Sequence, residues 1–149
     1  MGNKEKILSD YVTVLGDGRI EVEYVDPYTH FVGTGAEINV YDRLDTEDEA
    51  DDILVETFIV VIFGDVNGDA GILSGDASII EDEALGITYW SEEPEEDEPA
   101  REEENEYAAY KVMAADIHLD GTIHSFDASL VEDYALGILN INQVTGLPE

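Results

Sequence analysis

Two short stretches of this chain carry side chains at the spacing of a divalent-cation loop. Asp65, Asn67, Asp69, Gly71 and Asp76 fall at positions 1, 3, 5, 7 and 12 of the first. Asp116, His118, Asp120, Thr122 and Asp127 fall at the same positions of the second. Calcium takes about six to eight oxygen ligands at about 2.3–2.6 Å, and a twelve-residue EF-hand-type loop supplies them from these positions, with position 7 offering its backbone carbonyl. Three carboxylates converging in a loop repel one another without a cation, so bound calcium becomes a contribution to folding. Two calcium sites are therefore expected, one per loop.

The loops belong to a duplicated unit. Aligned at an offset of 51 residues, "DVNGDAGILSGDASIIEDEALGI" and "DIHLDGTIHSFDASLVEDYALGI" share 13 of 23 positions without a gap, so both copies should adopt one local fold. Position 8 is Ile72 or Ile123, an apolar residue that can join the loops back to back through a short β-contact. Each loop runs into an amphipathic helix that stops at Gly86 or Gly137. The copies differ at two telling places. Position 6 needs glycine for a sharp bend; Gly121 meets this, whereas the first copy has Ala70, with Gly71 one step late. At position 3 the second copy has His118, and imidazole nitrogen is a poor ligand for a hard cation. His118 is expected to turn away, with water in its place, leaving the second site the weaker.

Elements that must position these loops follow from patterning. Tyr11–Leu15 and Ile20–Val25 are β-rich runs around a Gly16-Asp17-Gly18 turn, and Glu37–Tyr41 repeats the alternation. Residues 45–52 read as an acidic loop. "ILVETFIVVIF" (53–63) is the strongest strand signal and is expected to be the central strand. "SEEPEEDEPAREEE" (91–104) reads as a solvated, largely disordered linker, and 105–115 as a short helix with Asn105 as N-cap. The expected fold class is α+β. It comprises an N-terminal β-sandwich-like module (1–63) and a small all-α unit (64–140). That unit divides into repeat one (64–87), an acidic insert (88–104), and a helix with repeat two (105–138). A C-terminal tail (141–149) follows.

Composition narrows the function. The chain has 149 residues, 37 acidic side chains against 6 basic, a net charge of −31 and no cysteine. A polyanion repels nucleic acid and anionic membrane, and disulfide or thiolate-metal chemistry is excluded. The start, Met1-Gly2-Asn3-Lys4, leads into a polar stretch and not an apolar one, so no signal peptide is read and the chain is taken as a piece of a longer protein. His30, His118 and His124 have no recognisable nucleophile partner, and no carboxylate pair stands out as a glycosidase site. The chain is read as non-enzymatic, with no catalytic residues.

"GDVNGD…SGDASII…ALG" paired with "AADIHLDG…SFDASLV…ALG" resembles the dockerin domain of cellulosome-type assemblies, over 64–87 and 106–140. The position-12 aspartate and the single helix after each loop carry the resemblance. "VGTGAEINVYD…ILVETFIVVIFGDVNGD" is similar to the small β-rich X-modules that precede dockerins in secreted proteins of anaerobic Gram-positive bacteria. The resemblance implies a monomeric module that docks a secreted, polysaccharide-degrading or related protein onto the cohesin domain of a scaffoldin or surface protein. It also implies partner contacts at Ser74, Gly75, Glu81 and Asp82 in the first repeat, and at Ser125, Phe126, Leu130, Glu132 and Asp133 in the second. Phe126 is the expected hot spot, and Gly75 against Phe126 favours one binding orientation. The alternative is a structural calcium clamp packed on the β-module, without a cohesin partner. A calcium sensor fits less well, because sensors need a helix before each loop and a Met-rich groove, and only two methionines are present.

Overall fold

The computed structural model describes residues 18–26, 28–43, 48–102 and 105–149. The expected strand at Tyr11–Leu15, the turn residues Gly16 and Asp17, and most of the first half of the 45–52 loop lie outside them. A short 3-10 turn, Glu49–Asp51, ends that loop.

Three strands form one antiparallel sheet in the order β1 (Gly18–Glu23), β2 (Glu37–Asp42), β3 (Ile53–Ile59). Alternation sets the register: Ile20 faces Val40 and Val22 faces Ile38 across one pair, and Ile38 faces Phe58 across the other. The register shifts between Val40 and Tyr41. Among the described residues, the apolar run at 53–63 is not central. β2 holds the middle position, and every residue of β3 is exposed. A largely apolar run, interrupted here by Glu56 and Thr57, reports affinity for a covered sheet face, not a place in the strand order, and no layer covers β3 among the described residues. The strand ends at Ile59, and Val60 makes two last bonds to the turn at 33–36, donating to the Ala36 carbonyl at 2.9 Å and accepting from the Gly35 amide at 2.9 Å. The α+β class holds. Among the described residues its β part is a single three-stranded sheet, so the second layer of a sandwich is not seen there.

The C-terminal half packs three helices, α1 (Ser74–Ala84), α2 (Ala109–Ala115) and α3 (Ser125–Ala135). Duplication is visible in its core. Val66 and Ile117, Ala77 and Ala128, and Ile80 and Val131 are equivalent pairs, and all are buried. Gly86 and Gly137 adopt φ of +69° and +71°, the left-handed conformation that ends a helix. No β-bridge joins Ile72 to Ile123 among the described residues. The repeats instead meet through the Gly64 amide, which donates to the Ala114 carbonyl at 2.7 Å, and through side chains of the shared core.

The segment read as a disordered linker and the segment read as a tail both make contacts with the rest of the chain among the described residues. In the acidic insert, Arg101 donates to the Tyr89 and Glu92 carbonyls at 2.9 and 2.7 Å and pairs with Glu98 at 2.8 Å. That single cation draws the chain back on itself, which a composition of repelling carboxylates does not foretell. Asn105 does not cap α2, whose N-cap is Ala108. Its side-chain oxygen accepts the Tyr89 amide at 2.9 Å and so closes the insert. At the other end, Asn140 and Glu149 exchange backbone bonds of 3.0 and 2.7 Å, Ile141 is in the core, and the Gln143 amide bonds both the N–H and the carbonyl of Phe63.

The insert is anchored by Glu83, a buried carboxylate on α1. It accepts the Trp90 and Ser91 amides at 3.0 and 2.9 Å, together with the Thr88 and Ser91 hydroxyls. Trp90, the sole tryptophan, is 1% exposed, and the Lys111 ammonium lies 4.4 Å from its ring centroid. Burial pulls the Lys111 pKa below the ordinary lysine value, against the opposing pull of Glu83. Removing a buried, hydrogen-bonded charged acceptor typically costs about 1.5–3 kcal/mol. Glu83→Ala is therefore expected to destabilise the chain by about 2–3 kcal/mol in urea unfolding followed by Trp90 fluorescence, with a red-shifted native spectrum. An unchanged midpoint would show that the insert does not depend on Glu83.

Candidate metal centres

Both loops have the same backbone path. At position 4, Gly68 and Leu119 have φ of +76° and +56°; at position 6, Ala70 and Gly121 have φ of +66° and +85°. Two left-handed residues per loop curl the backbone so that amides point inward at the first aspartate. Ala70 therefore accepts the conformation that its position demands, at a steric cost that glycine avoids.

In the first loop Asp65 is fully buried. Its Oδ1 accepts the Gly68 amide at 2.8 Å, and its Oδ2 accepts those of Thr34 and Ala70 at 3.0 and 3.1 Å. Asp76, also fully buried, takes the Val66 and Asn67 amides on Oδ1 and the Leu73 amide on Oδ2. Leu73 is the N-cap of α1 and Asp76 its third residue, so the position-12 carboxylate also holds the helix start, as one arm of a capping box does. Asn67 and Asp69 form successive turns at the rim: the Asn67 oxygen accepts the Asp69 amide at 2.9 Å, and Asp69 accepts the Gly71 amide at 2.8 Å. Burial raises the pKa of Asp65 and of Asp76, the amide donors oppose it, and a neighbouring carboxylate adds to it in each case. These are carboxylates that gain from a cation. Asp65, Asn67, Asp69, the Gly71 carbonyl and Asp76 offer oxygen alone, which fits calcium.

The second loop repeats the outline of this pattern, and its chief departure lies at position 3. Asp116 accepts the Asp120 and Gly121 amides at 3.2 and 2.8 Å, and buried Asp127 accepts those of Ile117 and His124, each at 2.9 Å. His118 does not turn away. Its Nδ1 lies 2.7 Å from Asp127 Oδ1 and its Nε2 2.7 Å from Asp120 Oδ2. Contact with Asp127, then with Asp120, raises the imidazole pKa. Desolvation pushes Asp120 up, but the Thr122 amide and His118 outweigh it and hold the carboxyl below its ordinary value. Donor atoms of Asp116, His118 and Asp120 lie within 4.8 Å of one another; the carboxylates of the first loop form no such group among the described residues. The backbone fits an EF-hand-type loop, while the donor at position 3 does not fit calcium. Thr122 contributes to this rim only through its backbone, its amide donating to Asp120 Oδ1 at 3.0 Å.

Two supporting residues were missed in the sequence. Thr34, from the β-module, donates its amide to Asp65 across 31 positions, and its hydroxyl bonds both the N–H and the carbonyl of Ile62. Gly33 packs so closely on the loop that a Cβ there would stand 2.1 Å from the Gly68 carbonyl oxygen. The glycines of "VGTG" are the only local trace of this contact. The second loop has no counterpart to Thr34 among the described residues.

Of the candidate partner residues, Glu81, Ser125, Glu132 and Asp133 line one groove. α1 and α3 pack together, and a shallow groove between them is lined by Ser78, Glu81, Ser125, Ser129, Glu132 and Asp133 over the two equivalent alanines. Ser74, Gly75 and Asp82 are exposed nearby on α1. Phe126 is 58% exposed, with its ring edge against His118 at 5.3 Å between centroids. Leu130 is a correction: at 7% exposure it belongs to the core, because its place on α3 turns it toward the first repeat and away from solvent.

The model of the dockerin type I domain family matches residues 63–136. No curated protein and no solved structure matches the chain.

Two substitutions probe the first loop from opposite directions. Gly33→Ala forces a methyl into backbone and is expected to cost about 1–3 kcal/mol, as overpacking does, and to weaken calcium binding at the first loop. Ala70→Gly relieves the left-handed alanine and is expected to stabilise by about 0.5–1 kcal/mol. Thermal unfolding in calcium reads both; a Gly33→Ala protein as stable as the parent would remove the β-module from the account of this loop.

Proposed function

We infer the function of this chain from one premise: its residues 63–136 are a dockerin type I domain, a calcium-binding, non-catalytic protein–protein interaction module. The proposed role is to anchor a secreted protein, at the cell surface or on a scaffold, through the cohesin domain of a scaffoldin or surface protein. Calcium binds in the first loop and more weakly in the second, and the free chain is a monomer. The observation that carries this reading is the groove between α1 and α3, lined by Glu81 from the first repeat and Ser125, Glu132 and Asp133 from the second, with Phe126 exposed at the residue that follows Ser125. Ser78 and Ser129 each return a hydroxyl bond to the carbonyl four residues back, so the two halves of the face are built alike.

Chemistry at that face constrains the partner. Glu81, Asp82, Glu132 and Asp133 make it acidic, so a matching cohesin should present positive charge, which governs encounter rate and orientation more than final affinity. Phe126 has no equivalent in the first repeat, where Gly75 has open space around it. The preferred orientation therefore places the second repeat against the partner's apolar pocket. No helix among the described residues is long and apolar enough to cross a membrane.

A second reading, the internal calcium clamp, is favoured by the Gly33–Thr34 contact on the first loop. It predicts that calcium braces the β-module without any partner. The two readings separate in one binding experiment. Cohesins of diverse sequence are titrated with the chain in millimolar calcium and again in excess chelator. Docking predicts tight binding to at least one cohesin, lost with chelator and weakened tenfold or more by Phe126→Ala, about 1.4 kcal/mol or above. Binding to none, with calcium still raising the melting temperature, would favour the clamp.

A further inference from the structure

The departure in the second loop has consequences of its own. His118 is not merely a poor calcium ligand that points inward. Its two nitrogens are held differently. Nδ1 meets Asp127, a carboxylate with no solvent exposure that is already fixed by two amides. Nε2 faces the rim, 2.7 Å from Asp120. A ring whose Nδ1–H is taken by a carboxylate can offer Nε2 to a metal that displaces the proton between Nε2 and Asp120, and this carboxylate–histidine arrangement is what orients imidazoles on bound metals. Asp116 and Asp120 place oxygens around the same point, within 4.8 Å of the ring nitrogen.

A fourth donor borders this group of three on the side of Asp120, without belonging to it. His124 Nε2 lies 3.6 Å from Asp120 Oδ2, and the two imidazole rings are 6.2 Å apart at their centroids. Asp120 and His124 are exposed, which leaves an entry path, while Asp116 and Asp127 are buried beneath. At the positions of His118 and His124 the first loop has Asn67 and Leu73, so both imidazoles are peculiar to the second repeat. Two imidazoles and two carboxylates in a small loop are a donor set for a borderline divalent ion of low coordination number. Zinc takes four such ligands, with nitrogen at about 2.0–2.1 Å; calcium takes more ligands, all oxygen.

We propose that the second loop is a zinc-preferring site, held by Asp116, His118 through Nε2, Asp120 and His124, with Asp127 as the buried carboxylate that aims His118. The proposal rests on the reading of 116–127 as a metal loop and revises which metal it selects. The two loops of one module then answer to different ions: calcium orders the first, against the β-module, and zinc the second, beside Phe126.

Calorimetric titration of the full chain with zinc chloride, in millimolar calcium and phosphate-free buffer, tests this. One zinc equivalent is expected to bind at least about 100-fold more tightly than calcium does at the same loop. His118→Asn should abolish that preference, with about 100-fold weaker zinc binding, and His124→Ala should lose about tenfold; outer-ligand and ligand changes have effects of this order. Cobalt(II) gives an independent signature, the intense visible absorption of a tetrahedral site, present in the parent chain and absent in His118→Asn. Equal zinc affinity in parent and His118→Asn would overturn the proposal, since the metal would then be gathered by acidic surface alone. Tighter calcium than zinc at the second loop of the parent chain would also overturn it while keeping the loop reading. Failure of both ions to bind there in either protein would overturn the loop reading itself. Calcium binding at the first loop, unchanged by His118→Asn, certifies that the variant is folded.

Discussion

Four buried aspartates, at the first and last positions of the two loops, set the terms for the C-terminal half. A carboxylate is costly to take out of water unless it is hydrogen-bonded or paired. Asp65, Asp76, Asp116 and Asp127 are held by backbone amides, two to three each, and in the second loop by an imidazole as well. To deliver those amides the chain must turn through left-handed residues at positions 4 and 6 and begin its helix at position 10. The loop path, the start of α1 and α3, and the inward aim of Val66 and Ile117 all follow from satisfying these oxygens. Amide dipoles offset part of the cost of the buried charge, and a bound cation would offset more of it.

The same constraint ties the halves of the chain together. Asp65 draws one of its three amides from Thr34, and Gly33 lies against the loop with no room for a side chain. The β-module thus completes the first loop's hydrogen bonding instead of leaving that to the repeat alone. The second loop, without such help among the described residues, uses His118 against Asp127. Two copies of one duplicated unit have therefore reached two solutions for the same buried carboxylates. The solution with oxygen suits a hard ion, and the solution with nitrogen suits a softer one.

Outside the loops, structure depends on isolated polar anchors. Glu83 gathers the start of the acidic insert, Arg101 folds the rest of it, and Gln143 ties the C-terminal segment to Phe63. Each is one residue acting against a composition that points the other way. That is why the insert reads as a disordered linker, and why the C-terminal residues read as a tail. β3 shows the converse: its apolar composition suggests a central strand, yet among the described residues it lies exposed at the edge of the sheet.

By itself, the sequence determined what depends on spacings of twelve residues or fewer, and on repetition. The loop positions, the helices after them, their glycine stops and the α+β class were legible, because a loop's donors and a helix's periodicity are local, and duplication doubles the signal. Tertiary structure alone decided the rest. It decided that Thr34 supports Asp65 across 31 positions, that Leu130 faces inward, and that β2 and not β3 is central among the described strands. It also decided that His118 points into its loop, which turns on a buried oxygen of Asp127 standing ready to receive Nδ1. These are outcomes of which surfaces meet once the chain is compact, and side-chain chemistry at a position does not specify its neighbours.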